Sequence, residues 1–334
     1  MQRAIFPVGY VPYAVWEWDL KERNVEFIKQ IDEQYFVYLA LIHFNAIEGE
    51  DRSRAALALR SSYHHAIETL MVLMGATVQA PHCYPGWIQK ASMGTVRAVV
   101  RALSDEKPMI PSALSLSKPS WDELSEKMFR CAGWGSEKEA TAKRFAHGWH
   151  MLAHEWLEQR NIDEYNSIKH GLRVTQGGFT LAAGIQDDPE TPAPPERVRL
   201  VGGSEFGSEF FVAEGLADPS YTKGNPHFRI RRTAVGWSPR AMVRAMQLVS
   251  ISITNIKSFA LILSGVAPST VHFTRPTDAR FFDELWSVHP SIASMSIDTV
   301  VSEADIQRHT REELQHFIDR NFRGVGESTG NETG

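Results

Sequence analysis

Apolar residues recur at intervals of three and four along most of the chain between residues 24 and 171. In residues 24–47 this pattern includes Val25, Ile28, Ile31 and Leu39, with more apolar residues off the main stripe. Such spacing predicts a helix, and apolar residues on several sides predict a central position in a bundle. Comparable patterns predict further helices at residues 54–74, 87–103, 121–131, 137–159 and 163–171.

Residues at the ends of these segments predict where the helices begin and stop. Gly75 follows the second segment and is predicted to end that helix. Ser120 with Glu123, and Ser136 with Glu139, have the spacing of capping boxes. In that motif the serine oxygen accepts from a backbone N–H three residues later. Two helices are therefore predicted to begin just after these serines.

The pattern changes after residue 172, where short alternating runs are separated by Gly, Pro or Asn. These runs predict three or four antiparallel strands, including residues 197–200, 209–213 and 227–235. Pro239 then suits the first position of a long helix over residues 239–263. Beyond it, the patterns predict a strand at residues 270–274 and helices at residues 277–288 and 302–322.

Together these elements predict a mainly α protein, a helical bundle with a β-rich insert before the last long bundle helix. The bundle is predicted to occupy residues 1–266, with the insert at about residues 173–236. We expect the bundle helices to pack together and the strands of the insert to lie outside them. Residues 267–323 are predicted to form a small α/β appendage, and residues 324–334 a flexible tail.

Composition narrows the class of protein without naming a chemistry. The 334 residues are 43% apolar and carry a net charge of −5, as expected for a globular protein. Cys83 and Cys131 form neither metal-type spacing nor a disulfide framework. No secretory signal and no run of 18 apolar residues is recognised. The sequence therefore predicts a cytoplasmic protein with no membrane partner.

One polar motif lies at the end of the helix predicted at residues 163–171. Asn166 and His170 are four residues apart, so both can point from one helix face into a cleft at the mouth of the bundle. Lys169 and Arg173 add positive charge beside them. One interpretation is a functional site built on Asn166, Lys169 and His170, with Arg173 binding phosphate. The other is a scaffold, in which Asn166 and His170 satisfy buried backbone groups.

The segment Tyr165-Asn166-Ser167-Ile168-Lys169-His170-Gly171, with the order of helices, insert and long helix, resembles helical proteins of the HEPN type. The resemblance spans residues 27–266. It implies a protein that binds RNA or a protein partner, in a toxin or defence setting. If such a protein is an enzyme, it is a metal-independent ribonuclease without a cofactor. His170 would then act on the 2′-hydroxyl or the leaving oxygen, and Lys169 and Arg173 would steady phosphate charge.

The chain departs from the nuclease form of that family at one position. That form has an arginine four to six residues before the histidine, whereas this chain has Glu164 and Asn166 there, and Arg160 lies ten residues before His170. Arg-x4-His strings do occur at residues 60–65 and 311–316, inside predicted helices. Five residues place two side chains about 140° apart on a helix, so we interpret both strings as fortuitous.

Three histidines form an alternative candidate site for a metal. His147, His150 and His154 share one helix face, and a helix carrying His64, His65 and Glu68 could face them. Bundles hold metals through such ligands. The paired Glu-x-x-His motifs of di-iron bundles are absent, however, so we predict that the three histidines do not jointly bind a metal.

A second candidate for phosphate binding lies in the predicted strand at residues 227–235. Alternation places Arg229 and Arg231 on the same strand face. They could contact phosphate, or they could be a solvated strand edge that discourages pairing. The alternatives to an RNA-binding protein are thus a metal-binding bundle enzyme and a non-catalytic structural or interaction protein. The sequence leaves a homodimer open.

Overall fold

The computed structural model describes residues 1–106, 111–116, 119–170, 173–184, 191, 194–216, 226–278, 280–285, 294–297 and 306–322. Within these ranges the chain forms eleven α-helices and eight strands. The helices are α1 Leu20–Gln30, α2 Tyr35–Ala46, α3 Arg52–Gln79, α4 Tyr84–Lys90, α5 Met93–Ser104, α6 Trp121–Met128, α7 Lys138–Leu157, α8 Gln159–Lys169, α9 Pro239–Leu263, α10 Arg280–Leu285 and α11 Arg311–Phe322. The strands are β1 Gln2–Val8, β2 Val11–Glu17, β3 Val174–Gln176, β4 Phe179–Gly184, β5 Val198–Ser204, β6 Gly207–Gly215, β7 Phe228–Gly236 and β8 Ser294–Ile297.

The bundle is built around α3 and α9, which pack against each other and are both covered by α2. Most side chains of α3 from Leu59 onward are buried. α9 begins as the sequence predicts, since Ser238 accepts from the backbone N–H of Ala241 and Pro239 occupies the first turn. The mainly α fold with a β-containing insert before α9 is thus confirmed.

Among the described residues, α9 is the one helix long and apolar enough to cross a membrane. Its most apolar stretch has a mean hydropathy of 1.4, and 61% of that stretch is buried inside the protein. Contacts with α2 and α3 account for this burial. An apolar surface already covered by protein is what the central helix of a bundle requires.

An N-terminal hairpin, which the sequence analysis did not predict, covers one end of the bundle. β1 and β2 pair antiparallel from Gln2 with Glu17 to Val8 with Val11. Gly9 takes a φ of +63° in the turn, a conformation that favours glycine. The Gln79 side chain accepts from the N–H of Gly9 at 2.8 Å and donates to its carbonyl at 2.9 Å. The turn is therefore tied to the end of α3.

The predicted helix over residues 24–47 is wrong as a single element. It is divided into α1 and α2, with Ile31 in an extended conformation between them. The Lys257 ammonium on α9 donates to the Ile31 carbonyl at 2.5 Å and also pairs with Glu33. The Ile31 carbonyl, which has left the helical hydrogen-bond pattern, is thus bonded to a charged side chain of another helix.

Two predicted helix ends are also wrong. Gly75 does not stop α3, which continues to Gln79. A β-carbon at Gly75 would lie 2.5 Å from the Trp87 ring. The glycine therefore allows α4 to pack closely against α3. Ser136 lies in a short 3₁₀ turn and does not cap α7, whereas Ser120 accepts from the Glu123 N–H at 3.1 Å and caps α6 as predicted.

The insert forms two antiparallel sheets. β4 pairs with β5, and the other sheet has the order β3-β6-β7-β8. This second sheet contacts α3 and α8, and its buried side chains include Val174, Phe210 and Val235. β8 comes from the chain after α9, so the sheet also joins the insert to the C-terminal part.

The chain after α9 is also fastened to the bundle. The predicted strand at residues 270–274 is not formed. Instead, the Asn255 amide group bonds to the backbone of Thr274, and Ser258 donates to the carbonyl of His272. Phe273 and Phe282 pack against aromatic rings from the region of α6 and α7. The domain boundary at residue 267 stays a prediction, and the tail at residues 324–334 lies outside the described residues.

Candidate functional site

A charged pair lies in the core where α3 meets α8. Arg60 is 2% exposed and Glu164 is fully buried. The Arg60 Nε donates to the Glu164 carboxylate at 3.0 and 3.1 Å, and Nη2 donates to its Oε2 at 2.6 Å. Nη2 also lies 3.3 Å from the Asn161 Oδ1. Such fork-shaped pairing gives most N–H donors of the guanidinium and both carboxylate oxygens a hydrogen-bond partner away from water.

Helical spacing explains how these residues come together. His64 follows Arg60 by one turn of α3 and lies 3.0 Å from the Glu164 Oε2 through its Nε2. On α8 the inward positions are Asn161, Glu164, Tyr165 and Ile168, which are spaced by three and four residues. The Tyr165 ring stacks on the His64 ring at 5.0 Å. Two helix faces therefore supply the whole cluster.

The surroundings fix the charges of this cluster. Burial alone would raise the pKa of Glu164, but the charge and hydrogen bonds of Arg60, with His64, outweigh it and hold that pKa far below its usual range. Burial and the nearby Arg60 lower the pKa of His64. The cluster therefore contains an ionised arginine, an ionised glutamate and a neutral histidine at neutral pH.

A second acid extends the cluster toward solvent. The Tyr63 hydroxyl donates to the Glu155 Oε2 at 2.6 Å. The Glu155 Oε1 lies 3.7 Å from the Arg60 Nη1, an ion-pair distance but longer than a hydrogen bond. Burial and the Glu155 charge raise the pKa of Tyr63 well above its ordinary value, so this phenol stays protonated. Among the residues that the structure describes, the Glu155 Oε1 thus has no close hydrogen-bond donor.

These groups form one wall of a cavity of about 300 Å³ between α7, α9 and the start of α8. Arg60, Tyr63 and Glu155 face it from the buried cluster. The rest of the lining is largely apolar and includes Met151, Trp237, Ala241, Met242, Ala245 and Leu285. At its rim Arg160 pairs with Glu158 at 2.7 Å. A mostly apolar hollow with a few fixed polar groups is typical of small-molecule sites.

The residues of the predicted polar motif lie on the other side of α8. Asn166, Lys169 and His170 are all exposed. The Lys169 ammonium bonds to Glu68 at 2.8 Å and lies 3.9 Å from the centre of the Tyr165 ring. Arg173 donates from Nε to the carbonyl of His170 at 2.8 Å. Neither Asn166 nor His170 lines the cavity beside Arg60.

The two arginines predicted to bind phosphate from β7 share a face, as expected from alternation. Arg229 and Arg231 both pair with Glu214 on the neighbouring strand, at 2.7 and 2.9 Å. One carboxylate therefore offsets part of the positive charge of this face. Whether the pair contacts phosphate stays a prediction.

The predicted histidine stripe lies on the more exposed side of α7. His147 and His154 are exposed and His150 is half-buried, and His154 also lines the cavity beside Arg60. His64 does not face them, because it is bound to Glu164 in the core. In the part of the chain that the structure describes, no three His, Cys, Asp or Glu side chains are grouped so that they could hold a metal ion.

The Arg-x4-His string at residues 60–65 separates as helical geometry requires. Arg60 points into the buried cluster, whereas His65 is exposed, with its ring 5.3 Å from that of Phe36. Arg60, His64 and Glu164 were not predicted as partners from the sequence. A signal was present, since Glu164 is the one acidic residue among the inward positions of α8.

One surface has the composition of a protein interface. On α2, which carries no Asp, Glu, Lys or Arg, Tyr38 is 62% exposed. Tyr35, Leu41 and Ile42 are exposed as well. Grouped exposed apolar side chains of this kind are typical of contact surfaces. This face agrees with the predicted protein partner or second copy, which stays a prediction.

The chain matches no family model, no curated protein and no solved structure. The resemblance to HEPN proteins is therefore carried only by the residues quoted above.

Proposed function

We propose that this protein binds a small organic molecule in the cavity beside Arg60. The main observation is that a buried arginine and a partly buried glutamate line one cavity whose surface is mostly apolar, with Glu158 and Arg160 paired at its rim. Holding these charges inside the protein costs free energy, which the ion pair with Glu164 and the bonds to Asn161 and His64 offset. Such fixed groups increase the affinity for a ligand, because its polar atoms can bond to donors and acceptors that are already held in place.

The exposed motif on α8 supports an RNA site less well than the cavity supports a small-molecule site. Lys169 is paired with Glu68, and Arg229 and Arg231 are paired with Glu214. Phosphate would have to compete with these carboxylates for the same cations. RNA binding near His170 stays a prediction, and it is independent of the cavity.

A screen of small molecules by thermal unfolding tests the proposal. Ligands of the folded protein raise the Tm by an amount that grows with the logarithm of their concentration over Kd. We expect hits with the unmodified protein that are lost in Ala241→Leu, since Ala241 lines the cavity and the larger side chain occupies it. Ala98→Leu is the matched control, because Ala98 lies exposed on α5. Hits that persist in Ala241→Leu, or a diverse screen without hits, would overturn the proposal.

A further inference from the structure

We infer that the ligand of this cavity is a flat, uncharged heterocycle with a cyclic amide edge, in which an N–H lies beside a C=O. The inference rests on the proposed function and adds the class of ligand. It is carried by two polar atoms of residues that line the cavity, the Arg60 Nη1 and the Glu155 Oε1.

The Arg60 Nη1 is a donor that the protein leaves with weak acceptors. Nε and Nη2 are bonded to Glu164 and Asn161, as described above. The partners of Nη1 are the Met242 Sδ at 3.8 Å and the Glu155 Oε1 at 3.7 Å. A thioether is a weak acceptor, and the carboxylate oxygen is beyond hydrogen-bond distance. A carbonyl oxygen of a ligand would therefore improve the bonding of Nη1.

The Glu155 Oε1 is the matching acceptor. The other oxygen of this carboxylate is bonded to the Tyr63 hydroxyl, which fixes the position of the group. A ligand N–H would give Oε1 the close donor that Arg60 does not supply. Donor and acceptor thus lie 3.7 Å apart on two residues that line the cavity.

The spacing of these two atoms fits an amide edge. Standard bond lengths place the oxygen and nitrogen of an amide about 2.2 Å apart. Two hydrogen bonds of about 2.9 Å that each diverge by roughly 15° then reach protein atoms about 3.7 Å apart, and this deviation is within the ordinary range of hydrogen-bond angles. In a cyclic amide the ring holds N–H and C=O on the same side, so both bonds form at once.

The charges favour a neutral ligand. A cation held by Glu155 would lie against the positive Arg60, and an anion held by Arg60 would lie against Glu155. A neutral group with one donor and one acceptor avoids both repulsions.

The remaining wall suits a flat ring. The Trp237 indole is fixed by a hydrogen bond from its Nε1 to the Ser208 Oγ at 3.1 Å. Met151 and Met242 add thioether side chains, which pack well against aromatic faces. A volume of about 300 Å³ accommodates one or two rings.

The test compares probes that differ in one N–H group. 2-Quinolone and uracil are titrated into the full chain by calorimetry, beside 1-methyl-2-quinolone and 1,3-dimethyluracil. The methylated probes keep the ring and the carbonyls but cannot donate to Glu155. We expect them to bind about tenfold more weakly or worse, since a hydrogen bond to a charged group is lost. This comparison uses the unmodified protein and needs no variant to fold.

Two variants test whether Glu155 causes the preference for N–H probes over methylated ones. In Glu155→Met the preference for the N–H probe should fall to about twofold or less, whereas Glu158→Met, at the rim of the same cavity, should keep it. Equal binding of both probe types by the unmodified protein, or a preference unchanged by Glu155→Met, would overturn the inference. So would failure of all four probes while other molecules bind in a manner sensitive to Ala241→Leu, a result that leaves the proposed function standing.

Discussion

The two faces of α8 carry polar groups in opposite settings. On the inner face Glu164 is enclosed by Arg60 and His64 from α3, and no part of it reaches water. On the outer face Lys169 and Glu68 form an ion pair of similar length that is partly open to solvent. Water and salt screen the outer pair, whereas the inner ions are stabilised only by each other and by neighbouring protein groups such as Asn161 and His64. The difference between the two pairs indicates that burial, rather than the number of polar contacts, determines how much an ion pair matters for the stability of the fold.

Removing the inner carboxylate should give the largest effect. Glu164→Ala leaves Arg60 buried with its main counter-charge gone, which typically costs about 3–5 kcal/mol. Asn166→Ala, two residues away on the outer face, should change the free energy of unfolding by less than about 0.5 kcal/mol. Denaturation in urea measures both values. Similar losses for the two variants would show that the faces do not differ as argued.

The inner face should also respond to pH. Burial lowers the pKa of His64, so the unfolded chain takes up a proton first as the pH falls below about 6.5. Stability is therefore lost below that pH, by at most about 1.4 kcal/mol per pH unit for one histidine. His43, which is half-buried, and His65, whose ring packs on Phe36 although the residue is exposed, also have pKa values lowered by desolvation, and they act in the same direction.

The variant His64→Gln isolates the contribution of His64. The glutamine amide can still donate toward Glu164 but does not titrate. We expect the loss of stability between pH 6.5 and 5 to be shallower than in the unmodified protein, measured by unfolding at each pH. The lowered pKa of Glu164 also stabilises the fold, at pH values above the ordinary carboxyl pKa of about 4.3. This stabilisation is lost only below that pH, outside the range of about 6.5 to 5. An unchanged slope would contradict a buried neutral His64.

The outer face should give the smallest change in stability. His170→Ala removes an exposed side chain, so the free energy of unfolding should shift by less than about 0.5 kcal/mol. Titration of labelled single-stranded RNA, beside a cleavage assay, tests the predicted RNA site in the same variant. Binding that is lost with the fold intact would support that site. A loss of about 1–3 kcal/mol would instead restore the scaffold interpretation.

Local signals in the sequence were enough for much of the helical framework. Ser120 caps α6 where its spacing predicts, and Pro239 opens α9 as predicted, because both signals depend on residues within one helical turn. The change to strands after residue 172 was also readable from short alternation. The separation of α1 from α2 was not, because residues 24–47 contain neither Gly nor Pro and the partner of the freed carbonyl, Lys257, is distant in sequence.

The candidate site was harder to predict for the same physical reason. Asn166 and His170 were singled out because spacing on one helix is visible in sequence. The cavity instead draws its polar wall from separate helices, with Arg60 on α3, Glu155 on α7 and Asn161 on α8. No single segment shows this combination. The prediction that Gly75 ends its helix failed for a related reason. This glycine makes room for the Trp87 ring, which belongs to another helix.

The distance between Arg60 and Glu164 along the chain has a consequence for how the protein is made. These residues are 104 positions apart. While the chain emerges from the ribosome, α3 is complete long before α8 exists. Until residue 164 is available, Arg60 can enter the core only as an unneutralised charge, which is strongly unfavourable. The apolar surface of α3 around Arg60 must therefore stay open to water, or to a chaperone, until about half of the chain has been synthesised.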